Sequence, residues 1–101
     1  MRESLPPRRN CETFMLKHGK QNTEFAVTVG YYADGRVAEV FIDGAKSGTD
    51  MGAVTRDGAI LLSLALQHGV ALATIKHAIT RNQRGEAETI VGAVVEALEK
   101  L

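Results

Sequence analysis

The stretch Ala38 to Val70, AEVFIDGAKSGTDMGAVTRDGAILLSLALQHGV, constrains the fold more than any other part of the chain. It joins a short apolar strand, a Gly-Ala-Lys-Ser-Gly turn and a long apolar helix that ends on a glycine. Thr49 suits the N-cap of a helix running to about His68, and Asp50 in its first turn meets the positive end of the helix dipole. Met51, Val54, Gly58, Leu61, Leu62 and Ala65 recur at spacings of three and four, which predicts an apolar stripe facing a core. Ile60, Leu64 and Leu66 widen the stripe. That surplus predicts burial on two sides, against a sheet and against later helices or a second subunit, and a homodimer follows as an expectation. Gly58 costs up to about 1 kcal/mol of helix propensity relative to alanine, so a close backbone neighbour is expected there.

Three strands are expected before this helix. Glu12 to His18 alternates, with Phe14 and Leu16 on one side, and Thr23 to Tyr32 places Phe25, Val27, Val29 and Tyr31 on one face. Asp34-Gly35 between alternating runs marks a hairpin, because glycine accepts the positive φ of such a turn. Val37 to Asp43 follows as the third strand, with Ala38, Val40 and Ile42 on one face and Val37, Glu39 and Phe41 on the other. Gly69 ends the long helix. A second helix from Ala71 to about Thr80 turns Leu72, Ile75 and Ile79 inward, and a third from about Ala87 to Lys100 aligns Ile90, Val91, Val94, Val95 and Leu98. The order is βββααα: an α+β domain in which a three-stranded antiparallel meander is roofed by the long helix.

With 101 residues the chain is one domain's worth. Residues 1–11 hold Pro6-Pro7 and Arg8-Arg9, which resist helix and sheet and predict an extended basic arm; residues 12–101 form the domain. The formal charge is zero, with 12 basic and 12 acidic residues, which weighs against a phosphate-backbone binder. The single cysteine, Cys11, excludes an internal disulfide and dithiol redox chemistry, and it is expected to be a half-buried packing residue. No apolar run is long enough for a membrane span and no secretory signal is evident, so a cytoplasmic protein is expected.

No residue set nominates a catalytic site or a cofactor. His18, His68 and His77 lack the spacing of a zinc motif. Two binding sites are candidates. Lys46, Ser47, Gly48 and Thr49 put a cation, hydroxyls and a glycine at a helix start, where free N–H groups favour a nucleotide or other phosphate; the order of residues is not that of a P-loop. The alternative is a DNA-binding helix-turn-helix over residues 64–79, with Thr74, Lys76 and His77 toward the major groove and Arg81 on the backbone. Its groove face carries no Arg, Asn or Gln in the first two turns, which is poor equipment for reading bases.

The runs EVFIDGAKSGTDMGAV, LLSLALQHGVALATIKHAI and GAVVEAL resemble the TSCPD domain, found at the C-terminus of adenosylcobalamin-dependent ribonucleotide reductases and as small free-standing bacterial proteins. The resemblance extends from about Glu12 to Leu98 and is most specific at Glu39 to Ile42, Lys46 to Asp50 and Ser63 to Val70. The Thr-Ser-Cys-Pro-Asp segment that names the family is replaced by Glu86 to Ile90, EAETI, and Ala71 stands where relatives often carry proline. The resemblance implies a link to deoxynucleotide synthesis. A reductase of that class needs a radical-forming cysteine and a redox-active pair, and this chain has Cys11 alone. The implied role is an accessory or regulatory module with a ribonucleotide reductase subunit as partner, not catalytic alone.

Overall fold

A computed structural model describes residues 1–44 and 50–101, so the Lys46–Thr49 turn lies outside the described residues. Three strands, β1 (Cys11–His18), β2 (Thr23–Tyr31) and β3 (Val37–Asp43), form an antiparallel sheet in the order β1-β2-β3. Three helices follow: α1 (Asp50–Gln67), α2 (Leu72–Ala78) and α3 (Ile90–Glu99). The β2–β3 turn uses Gly35 at φ 93°, and Asp34 Oδ1 accepts the Arg36 N–H at 3.1 Å, closing the predicted Asp-Gly hairpin. A register shift at Gly30/Tyr31 ends the regular β2–β3 ladder.

One sheet face is the core. Phe25, Val27 and Val29 of β2 and Val40 and Ile42 of β3 pack with Ala59 and Leu62 of α1 and with Ile90, Val94, Val95 and Leu98 of α3. Helix α1 lies along β3, whereas α3 packs against β1 and both other helices. Burying an aliphatic side chain contributes about 1.5–3 kcal/mol, so the Val94-Val95-Leu98 face of α3 is a principal source of stability. Thr89 starts that helix, its hydroxyl accepting the Gly92 N–H at 3.0 Å. Gly69, at φ 88°, closes α1: its own N–H bonds Leu66 O, and the Val70 N–H reaches back to Ala65 O at 3.0 Å.

Helix α1 differs from expectation in which side it buries. Gly52, Thr55, Ala59, Leu62 and Gln67 face inward, while Met51, Val54 and Leu61 of the predicted stripe face solvent, Leu61 at 67% exposure. The physical reason is proximity: small residues let the helix backbone approach the β3 edge, and larger ones are left on the outer sides. Gly58 does mark a close approach, but to a side chain. A Cβ there would stand 2.6 Å from Val91 Cγ2 of α3. Cys11 also departs from expectation and is exposed, at the start of a strand that forms one sheet edge.

Two predictions follow from this packing. Gly58→Ala gains helix propensity yet lowers the urea midpoint, with a net loss of about 1–3 kcal/mol, and adding Val91→Ala restores most of it. Tyr31 has its phenol pushed up from 10.0 to about 12, first by burial and then by its hydrogen bond to Glu12. A raised acid pKa means that the folded state keeps its proton longer, so this contribution is complete below pH 10 and fades as pH rises through about 12. Chemical denaturation at rising alkaline pH should show Tyr31→Phe losing less stability than wild type.

Candidate functional site

Among the described residues strand β3 has β2 on one side only, so the backbone groups of its other edge need partners. Helix α1 supplies them from Ser63 and Gln67, four residues apart and therefore on one face. Ser63 Oγ accepts the Val40 N–H at 2.8 Å, and its single proton goes to Val40 O at 3.1 Å or Ala59 O at 2.8 Å. Gln67 Nε2 donates to Ala38 O at 3.0 Å, and Gln67 Oε1 accepts Arg2 Nε at 2.6 Å.

The second sheet face carries a buried acid. Glu39, 7% exposed, lies across Gly30, where a Cβ would be 2.7 Å from its Oε2. Arg9 bonds the same oxygen and is held more firmly protonated, chiefly by that hydrogen bond. Arg9 Nη1 also donates to Pro6 O at 2.7 Å, while the Glu3 N–H bonds Gln67 O at 2.7 Å and Tyr32 Oη bonds Glu3 O at 3.1 Å. The predicted basic arm is thus a strap, tied at both ends to the sheet and to α1.

Between strap, β3 and α1 runs a groove of about 550 Å³. Its floor is Val40, Ile42 and Ala59, and its walls are Leu5, Phe41, Ile60 and Leu64. Phe41 and Ile60 stay exposed although both are large and apolar. Arg2 and Arg56 line it too, as do Glu39 and Asp43; the Asp43 carboxylate accepts the Gly44 N–H at 2.9 Å. The groove has an apolar body with few charged groups, the make-up of a surface that receives another apolar chain or ligand. Among the described residues no cluster of three His, Cys, Asp or Glu has the placement to hold a metal ion.

The sequence-nominated residues fall elsewhere. The Lys46, Ser47, Gly48 and Thr49 turn precedes α1 and lies outside the described residues. Thr74, Lys76 and His77 sit on α2, which has only seven residues. Lys76 Nζ pairs with Glu99 Oε2 at 3.1 Å. Arg81 pairs with Glu96 at 3.4 Å while donating to Lys76 O and Gly85 O, so it clamps the α2–α3 connection. These ion pairs draw both cations toward the carboxylates of α3, and a duplex-binding role gains no support from them. Sequence reasoning missed the groove because Ile60 and Leu64 read as a widening of the core stripe, while Leu5 and Phe41 belong to the arm and the third strand, which nothing in the sequence brings beside them. The signal for Glu39 was a lone acid opposite a strand glycine.

The TSCPD domain profile matches residues 2–101. A vitamin B12-dependent ribonucleotide reductase of Agrobacterium fabrum strain C58 is 38% identical over 79 residues, 78% of this chain and 6% of the relative. The corresponding reductase of Rhodopirellula baltica is 39% identical over 74 residues, 73% of this chain and 7% of its own. The chain therefore spans less than a tenth of the length of these relatives. No solved structure matches it.

If Gln67 closes the β3 edge as described, Gln67→Ala costs about 1–3 kcal/mol in denaturant titration, because Ala38 O is left buried without its donor. Gln67→Glu, which keeps the shape but exchanges the Nε2 donor for an acceptor, should cost at least as much.

Proposed function

The chain belongs to the TSCPD domain family, and on that premise we propose that it is a non-catalytic accessory or regulatory module of an adenosylcobalamin-dependent ribonucleotide reductase. The observation that carries the proposal is one of proportion: the relatives hold the matching region as 6–7% of a far longer chain. A domain that makes up so small a share of a large catalytic chain is suited to docking on that chain rather than to chemistry of its own. The groove edged by Phe41, Ile60 and Leu64 supports this reading as the docking surface. A nucleotide or other phosphate is assigned to the Lys46–Thr49 turn ahead of α1, where a helix start favours anions. A partner in deoxynucleotide synthesis supports a cytoplasmic location for the module.

The test is binding to a purified B12-dependent reductase chain from which the homologous domain has been removed. Wild type binds, and Phe41→Asp, at an exposed position, weakens binding more than about tenfold while leaving the melting curve unchanged. Absence of binding by wild type contradicts the module reading. In parallel, deoxynucleotide and ribonucleotide triphosphates titrated into wild type and Lys46→Ala should bind only the former; equal or absent binding removes the anion site.

A further inference from the structure

The outer side of α1 is a second apolar surface, and we infer that it joins two copies of this chain as an antiparallel helix pair. Leu64 belongs both to this surface and to the groove wall, so a second copy and a partner in the groove would share that residue. Val54 is 64% exposed, Leu61 67%, Ile60 56% and Leu64 36%, all on a helix of 18 residues. Helical spacing puts Val54, Asp57, Leu61, Leu64 and His68 at intervals of three, four, three and four residues. These five form one seam, opposite the Thr55-Ala59-Leu62 side that meets the core. No helix among the described residues is long and apolar enough to cross a membrane.

Area and charge both favour a second copy as the occupant. Val54, Leu61 and Leu64 of the seam leave roughly 300 Å² exposed, more than a third of the ~800 Å² that each partner contributes to a standard interface, and exposed Met51 and Ile60 flank it on opposite sides. Along the seam the acid, Asp57, precedes the leucines and the histidine, His68, follows them. Two such helices running antiparallel place Asp57 of each beside His68 of the other, and that same register sets Leu61 against Leu64 on both sides of the two-fold axis. A parallel pair would instead stack Asp57 on Asp57 and His68 on His68. The surface is thus complementary to itself in one orientation, as an isologous interface requires. Among the described residues neither Asp57 nor His68 has a side-chain ion pair or hydrogen bond within its own chain, which leaves both groups available.

Sedimentation equilibrium near neutral pH tests the inference on the protein alone. Wild type is expected to be a dimer, and Leu61→Glu is expected to raise the dissociation constant more than about tenfold with an unchanged circular dichroism melt of the monomer. Asp57→Lys should also weaken the dimer, and Asp57→Lys combined with His68→Glu should restore it. A wild-type monomer at all loadings overturns the inference, as does a dimer indifferent to Leu61→Glu. So does an Asp57→Lys dimer as tight as wild type, or a double variant no tighter than the single one.

Discussion

The structure depends on the closure of one strand edge. Strand β3 has a sheet neighbour on one side only, and an open edge of that kind invites another chain to pair with it. Ser63 and Gln67 prevent this by bonding the outward groups of Val40 and Ala38 from α1. Because they reach the backbone itself, α1 must lie close along β3, and small residues on its inner side make that approach possible. Placement of the helix against the edge then fixes which of its sides meets solvent.

The groove and the outer seam are consequences of that placement. With Gly52, Thr55, Ala59 and Leu62 turned inward, Ile60 and Leu64 of α1 are left toward Phe41 and the strap, and Val54 and Leu61 toward solvent. Gln67 connects the two halves of the arrangement, since it bonds Ala38 O with one end of its amide and Arg2 with the other, while its backbone carbonyl holds Glu3. Glu39 pins the other part of the strap through Arg9 and needs the space left by Gly30 to do so. The N-terminal residues therefore form a wall of the candidate site, in keeping with a family match that begins at residue 2.

The fold was legible because its signals are local. Alternation in Phe25, Val27 and Val29, the Asp34-Gly35 turn and the Val94-Val95-Leu98 run of α3 each state their element within a few residues, and the order βββααα follows from them. The orientation of α1 was not legible, because apolar residues occupy most of its circumference and periodicity alone favours the larger ones. What decided the matter was Ser63 and Gln67, polar residues whose value lies in the strand they reach, and a sequence does not display that strand's free edge. Glu39 and Arg9 were hidden for the same reason, since their pairing joins positions 30 residues apart.

Hydrogen exchange at the Val40 amide tests the edge closure directly, since its acceptor is a serine hydroxyl on α1 and not a neighbouring strand. The account predicts that this amide exchanges as slowly as those inside the β2–β3 ladder, and that Ser63→Ala speeds it without comparable change at the Phe41 amide. Rapid exchange at Val40 in the wild-type protein, or no response to Ser63→Ala, would contradict it.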